Sequence, residues 1–236
     1  IRKMSGATQA LLIQSEDKRF YLVKVCKDPQ HRRILVNELI ASVLLRHLEI
    51  TTPPTACVWF SEEFLRRNAE VSIHLDAHGI PADPGWYFGS QYLGDPDRVA
   101  VYNFIPGALL PQVRNLLDFL GALVFDQWTA NTDWRQVVFY RAHVADDLAG
   151  VPASRSRTGF VASMIDQGSV FNGPHWNFPE SPLHGLYLPL VYADVTSIES
   201  FQPWLERVMG FPEEVIARAA RQVPFEWLHG DQEALR

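Results

Sequence analysis

The amino-acid sequence predicts an α+β fold in two lobes, and three observations carry this prediction. Residues 1–104 contain several short apolar runs typical of strands, whereas residues 105–236 contain mainly apolar residues at helical spacing. Two further strand-like runs interrupt the helical part and predict an inserted hairpin. A strand at the joint ends at Ile105-Pro106-Gly107, a break that favours a hinge between a strand-rich N-lobe and a mainly helical C-lobe.

The N-lobe is predicted to begin with a β-hairpin followed by one long helix. The apolar runs 8–14 and 19–25 flank the polar turn SEDK, which indicates two paired strands. A helix over 30–48 follows, because apolar side chains recur there on one helical face. The rest of the lobe is predicted as a strand over 55–60, a loop with short strands over 76–97, where glycines and prolines cluster, and a strand over 99–104.

The C-lobe is predicted to be helical around one hairpin. Helical spacing of apolar residues predicts a long helix over 111–128. The runs QVVFYR (136–141) and GFVASMI (159–165) predict the two hairpin strands, which a polar loop connects. Two or three helices are predicted to end the chain, near 197–209, 212–222 and 224–235.

Composition restricts the class of protein. With 47% hydrophobic and 20% charged residues, the chain is typical of a soluble globular protein, and its net charge of -6 argues against general nucleic-acid binding. No apolar run reaches the roughly 18 residues of a membrane span. Cys26 and Cys57 fit no zinc or disulfide spacing, which favours a reducing compartment. We therefore expect a cytoplasmic enzyme or binding module that does not associate with membranes.

Lys24 and Glu38 are predicted to form a buried ion pair. Lys24 lies inside an apolar strand, and Glu38 lies on the apolar face of the next helix. Alternatively, each charge reaches water at the surface. Pairing is favoured because an unpaired buried charge is costly. A strand lysine followed by a helical glutamate is also how kinases hold a lysine on the α- and β-phosphates of ATP.

Two aspartates complete a predicted site for phosphoryl transfer. Asp133 stands just ahead of the first hairpin strand, where a carboxylate could accept the proton of an attacking hydroxyl. Asp166 ends the second hairpin strand, with Gly168 expected to allow the sharp turn after it, and is predicted to bind Mg²⁺. The Ser5-Gly6 turn would offer backbone N–H groups to the phosphates.

These landmarks, in the order Ser-Gly turn, strand lysine, helical glutamate, N-T-D-W-R-Q (131–136) and M-I-D (164–166), resemble those of the HipA-like protein kinases of bacterial toxin–antitoxin systems. The resemblance spans residues 4–170 and implies a protein-kinase-like fold with ATP- and Mg²⁺-dependent phosphorylation of serine or threonine. It implies Asp133 as catalytic base, Lys24 on phosphate and Asp166 on metal. It also implies a protein substrate and an antitoxin-like or other protein partner. The residues it places at ATP are Ser5, Gly6, Lys24, Glu38, Tyr102, Asn103 and Phe104.

One position departs from the family pattern. The family has a magnesium-binding asparagine five residues after the catalytic aspartate, where this chain has Val138. Gln136 or Asn131 would have to supply the missing oxygen ligand. The departure leaves open a pseudokinase or nucleotide-binding interaction module that lacks turnover.

Asp126 and Arg135 have alternative interpretations. Asp126 and Asn131 fit the spacing D-x-x-x-x-N by themselves, although Asp126 is better placed as a structural acid inside the preceding helix. Arg135 would contact phosphate or pair with Asp126. A carboxylate-rich metal hydrolase built on Asp126, Asp133 and Asp166 is a third hypothesis for the function.

Overall fold

The computed structural model describes residues 2–3, 10–25, 29–69, 71–73, 80–144, 157–178, 185–228 and 230–235. It confirms the predicted α+β class, with a strand-rich first part and helices concentrated in the second. Ser5, Gly6 and Cys26 lie outside the described residues. No helix of the described ranges has the length and apolar character needed to cross a membrane.

The first part of the chain is built on a five-stranded antiparallel sheet with one long helix. The predicted hairpin is confirmed, with Ala10 opposite Lys24, and so are the predicted helix and the strand at 55–60. The elements are β1 (Arg2–Lys3), β2 (Ala10–Gln14), β3 (Phe20–Lys24), α1 (Pro29–His47), β4 (Thr55–Phe60), α2 (Glu62–Arg67), β5 (Ser72–Ile73), β6 (Ile80–Pro81) and β7 (Gly85–Gln91). The sheet order is β1-β2-β3-β7-β4.

The prediction of a loop with short strands over 76–97 underestimates β7, a seven-residue strand that pairs with both β3 and β4. Three consecutive aromatic residues, strong strand formers, lie inside this strand (86–88). Gly89 is part of the strand because a Cβ there would lie 2.6 Å from Val58 Cγ2 on β4. The glycine that suggested a loop therefore serves close packing between strands.

Helix α1 is almost entirely surrounded by protein. Its residues 35–45 are all buried, and they share one hydrophobic cluster with side chains near the C-terminus, among them Trp204, Val215 and Trp227. A second cluster lies around β2, β3 and β7, in which the ring centroids of Phe60 and Tyr87 are 4.6 Å apart. Helix α1 thus packs against C-terminal helices, and the lobe boundary at 104/105 stays a prediction.

The predictions for 99–104 and 111–128 need correction. Only Val101–Tyr102 (β8) is a strand, and it pairs with the hairpin. A 3₁₀ helix covers Gly107–Gln112, and the α-helix α3 begins only at Asp118 and ends at Trp128. Val113 has extended backbone after this 3₁₀ helix, and the Arg114 N–H donates to Phe160 O at 2.9 Å rather than to a helical carbonyl, so the two helices are separate.

The inserted hairpin is confirmed and fixes the position of the two aspartates. Strands β9 (Gln136–Val144) and β10 (Arg157–Ile165) are antiparallel, with Gln136 opposite Ile165. The residues just before β9 and just after β10 therefore emerge at the same end. After β10, the turns of Val170–His175 are interrupted by non-helical backbone at 171–173. The remaining elements are 3₁₀ helices Pro189–Tyr192 and Ile198–Phe201, followed by α4 (Trp204–Met209), α5 (Glu213–Ala220) and α6 (Phe225–Leu228), the last shorter than predicted.

Candidate active site

A cavity of 560 Å³ lies where the five-stranded sheet, helix α1 and the β9–β10 hairpin meet. Lys24 and Phe88 line it from the sheet, Glu38 from α1, and Val138 and Asp166 from the hairpin. A larger cleft of 710 Å³, lined by Trp59, Trp86 and Phe225, contains none of the predicted site residues. Chemistry rather than size therefore selects the smaller cavity.

Lys24 joins the sheet to the other two elements. Its Nζ donates hydrogen bonds to Glu38 Oε1 and to Asp166 Oδ1, the latter at 2.7 Å. Burial alone would lower the pKa of Lys24, but the two carboxylates outweigh it and hold that pKa above its ordinary value. The ammonium therefore stays charged, although only 14% of the side chain is exposed.

The pKa values of the two carboxylates shift in opposite directions because the side chains differ in exposure. Burial raises the pKa of Glu38, whose side chain is 3% exposed, and Lys24 opposes that shift. Burial also acts to raise the pKa of Asp166, but Lys24 lowers it below its ordinary value. Asp166 is 22% exposed and lines the cavity, so its ionised carboxylate is available to a cation there.

The turn after β10 is built differently from the prediction. Asp166 itself is in the left-handed region, with φ of 58°. Gly168 is needed for another reason, because a Cβ there would lie 2.5 Å from Ile34 Cγ2 on helix α1. The glycine thus lets the chain that follows Asp166 approach the helix that carries Glu38.

We expect Gly168→Ala to lower the free energy of unfolding by about 1–3 kcal/mol, because the added methyl group overpacks this contact. Urea denaturation measures the loss. Ile34→Ala removes the colliding methyl group, so the double variant should lose less than the sum of the two single losses. Strictly additive losses would contradict the packing explanation.

The loop from 129 to 135 holds Asp133 and Asn131. Asp133 is half-buried, and its Oδ1 accepts a hydrogen bond of 2.7 Å from the Trp134 N–H. The Asn131 amide accepts from the Asp133 N–H and donates to Asp126 at 2.9 Å. Neither side chain lines the cavity, whereas Gln136 does. Of the two substitutes considered for the missing asparagine, Gln136 is therefore the one beside Asp166.

Of the remaining residues predicted to bind ATP, one lines the cavity and two do not. Asn103 lines the cavity, whereas Tyr102 packs edge-on against Phe160 and Phe104 is 60% exposed outside it. Val138 also lines the cavity. An apolar wall therefore replaces the expected amide at that position.

Asp126 and Arg135 form a buried ion pair, and Arg135 also lines the cavity. Arg135 Nε donates to Asp126 Oδ2 at 3.0 Å, its second terminal nitrogen donates to Oδ1, and both side chains are at most 1% exposed. Burial raises the pKa of Asp126, while Arg135 and Asn131 act to lower it. The pairing favours the structural interpretation of both residues. The hydrolase hypothesis requires at least three acidic, histidine or cysteine side chains close enough to hold a metal. In the described part of the chain no such group is found.

Two polar atoms in the cavity wall lack a hydrogen-bond partner. Thr55 Oγ1 and Gln167 Nε2 are buried and unpaired, among four such side-chain atoms in the described residues. Arg135 donates to Gln167 Oε1 at 2.6 Å, which fixes the oxygen of that amide and leaves its nitrogen free. Neither residue was assigned a role from the sequence. Nothing in the sequence distinguishes Thr55, and Gln167 was noted only as the residue after Asp166.

The family model of the HipA-like kinases matches residues 1–138, more than half of the chain. The chain belongs to the HipA-like kinases. No curated protein and no solved structure matches it. The matched segment includes Lys24, Glu38 and Asp133. Asp166 lies beyond that segment and is joined to Lys24 by a hydrogen bond. As a HipA-like kinase, the protein has a kinase-type, phosphotransferase function.

Proposed function

We propose that this HipA-like kinase transfers the γ-phosphoryl group of ATP, with Mg²⁺, to a serine or threonine hydroxyl of a protein. The observation that carries the proposal is the position of Lys24 between Glu38 and Asp166 in one cavity. Kinases need a lysine fixed by a helical glutamate and a metal-binding aspartate beside it. The same three residue types meet here across 142 residues of sequence.

The residues present fit a nucleotide and a magnesium ion. The unpaired Thr55 Oγ1 and Gln167 Nε2 in the wall suit a polar ligand that supplies the missing partners. Asp166 and Gln136 carry the oxygen ligands that Mg²⁺ prefers, and Lys24 carries the positive charge for phosphate oxygens. When bound, the magnesium ion neutralises the charge that develops on the phosphates.

Asp133 is proposed as the base of the reaction. The substrate hydroxyl oxygen forms a bond to the γ-phosphorus, the bond from that phosphorus to ADP breaks, and the hydroxyl proton passes to the Asp133 carboxylate. Support comes from the hairpin register, which brings Asp133 and Asp166 out at the same end. The hydrogen bond from the Trp134 N–H also orients the carboxylate.

A nucleotide-binding module without turnover is the second candidate function. Val138 in the cavity wall favours it, because an apolar side chain cannot supply the oxygen ligand that the asparagine of other kinases gives to Mg²⁺. ATP affinity measured with and without Mg²⁺, alongside transfer of radiolabelled γ-phosphate, distinguishes the two. Metal-dependent binding with transfer supports the kinase, and binding without transfer supports the module.

Asp133→Ala is expected to lower the rate of phosphate transfer by about 10²–10⁴-fold, because the attacking hydroxyl loses its proton acceptor. ATP affinity should stay unchanged, since Asp133 does not line the cavity. Asp194→Ala, a substitution at an exposed acid, serves as the matched control and should keep full activity. An Asp133→Ala variant that still transfers phosphate at the wild-type rate would rule out this base.

A further inference from the structure

Asn37, the residue before Glu38 on helix α1, binds the chain segment that follows Asp166. The side chain is fully buried, and its Nδ2 donates to the carbonyl oxygens of Gly168, Val170 and Gly173 at 2.8–2.9 Å. Its Oδ1 accepts a hydrogen bond of 2.8 Å from Trp176 Nε1. One amide therefore holds residues 168–176 against the helix that also carries Glu38.

The chemistry of the four partners fixes this amide in one orientation. Backbone carbonyls only accept hydrogen bonds and an indole N–H only donates, so the nitrogen of Asn37 must face the carbonyls and its oxygen must face Trp176. Two amide hydrogens serve three acceptors, so one hydrogen is shared. An apolar or acidic side chain of the same shape could not make this set of bonds.

The segment needs such support because its backbone is strained. Asp166, Phe171, Asn172 and Trp176 all have positive φ, between 50° and 58°. Each such residue costs of order 1–3 kcal/mol unless the surroundings stabilise it, and bulky side chains are the least tolerant. The segment would therefore not keep this path without outside contacts.

The same segment is bonded to the loop that precedes Asp133. Phe171 N–H donates to Thr129 O at 2.6 Å, Asn172 N–H to Ala130 O at 3.1 Å, and Thr132 N–H to Ser169 O at 3.2 Å. A displacement of residues 168–173 would thus move both the turn at Asp166 and the loop that carries Asp133.

We infer that Asn37 is a positioning residue that sets the geometry of Asp166 and Asp133 through the 168–176 segment, without touching the substrate. This inference rests on the proposed kinase function. It assigns helix α1 two adjacent tasks, since Glu38 fixes Lys24 while Asn37 fixes the chain next to the two acids.

Asn37→Leu keeps the size and shape of the side chain and removes all four hydrogen bonds. In this variant the amides of 170–173 should exchange with solvent about tenfold faster than in the wild type, by the loss of local hydrogen bonding. The kcat for phosphate transfer should fall about 100-fold, because a shift of about 1 Å is enough for that loss. The KM for ATP should change little, because Lys24 and Glu38 are untouched.

Asn115→Leu is the matched control. The Asn115 amide likewise joins distant elements, with bonds to Thr51 and Ala162, but none to 168–176. Urea denaturation should show that Asn115→Leu is destabilised, while its kcat and its exchange at 170–173 stay as in the wild type. Equal losses of kcat in both variants would overturn the positioning role, because general destabilisation would then explain them.

Trp176→Phe keeps the ring under Arg33 and removes only the indole N–H, so it tests the inference even if Asn37→Leu fails to fold. It should accelerate exchange and lower kcat in the same direction by a smaller factor. Unchanged exchange and kcat in the variants, next to an active wild type, would overturn the inference. A wild type that transfers no phosphate would instead contradict the proposed function. In that case hydrogen exchange still tests the inference, because unchanged exchange at 170–173 in Asn37→Leu would show that Asn37 does not hold this segment in place.

Discussion

Arg135→Met is expected to lower the free energy of unfolding by about 3–5 kcal/mol at neutral pH, because it leaves the Asp126 carboxylate buried without its cation. Asp126 is fully buried, and among the described residues only the Asn131 side chain would remain to donate to it. Methionine replaces much of the volume of arginine, so the loss reports the uncompensated charge rather than a large cavity. Urea denaturation at pH 7 measures it.

The pH dependence of this variant has a definite sign. Burial already raises the pKa of Asp126, and removal of Arg135 raises it further. A carboxyl whose pKa is higher in the folded state contributes stability below its unfolded value of about 3.9, and that stability is lost as the pH rises through the folded value. The deficit of Arg135→Met should therefore be smallest in acid and grow toward neutral pH.

Two further variants show whether charge is the cause. Asp126→Leu combined with Arg135→Met removes both charges and should recover most of the loss. Arg67→Met breaks the exposed pair with Glu63 and should cost no more than about 0.5 kcal/mol. If the double variant is no more stable than Arg135→Met alone, the unpaired charge is not the source of the loss.

The ion pair of Lys24 and Glu38 could be anticipated because both charges stand in locally apolar patterns. A lysine in an apolar strand and a glutamate on an apolar helix face each call for a partner, and the next helix is within reach. The position of Asp166 just after a strand was anticipated in the same way, although the left-handed residue of the turn is Asp166 itself and not Gly168. Such features depend on neighbours in sequence, which a single sequence displays.

The misread elements depend on contacts that are distant in sequence. Gly89 looked like a loop residue because its packing partner on β4 lies about thirty positions earlier. The start of α3 was set too early because the Arg114 N–H bonds to Phe160 O, distant in sequence, instead of continuing a helix. Asn37 was overlooked for the same reason, since its four partners come 131–139 residues later.

The sequence left the roles of Asp126 and Arg135 undecided, because their spacing alone permits two roles. The two lie nine positions apart, and an arginine near a proposed phosphate site can bind either a phosphate or a buried acid. The contacts favour the structural role, because Arg135 donates to Asp126 and Gln167 and both members of the pair are at most 1% exposed, although Arg135 also lines the cavity. Burial of a loop residue depends on the whole fold, so it cannot be read from local composition.

Lys24→Met is expected to reduce phosphate transfer by about 10²–10³-fold, because the positive charge that would face the phosphates is lost. It should also destabilise the fold, since Glu38 and Asp166 then share a site without a cation. Burial already raises the pKa of Glu38, and loss of Lys24 raises it further. By the same sign argument, the deficit in stability should be small below pH of about 4.3 and grow as the pH rises.

The double variant Lys24→Met with Glu38→Gln separates stability from chemistry. A neutral amide replaces the buried charge, so the double variant should recover most of the lost stability and show a flatter pH dependence. Phosphate transfer should stay as low as in Lys24→Met, because no cation returns to the cavity. A Lys24→Met variant that transfers phosphate at the wild-type rate would instead mean that the bridge from Glu38 to Asp166 serves the fold alone, and the kinase chemistry would have to lie elsewhere.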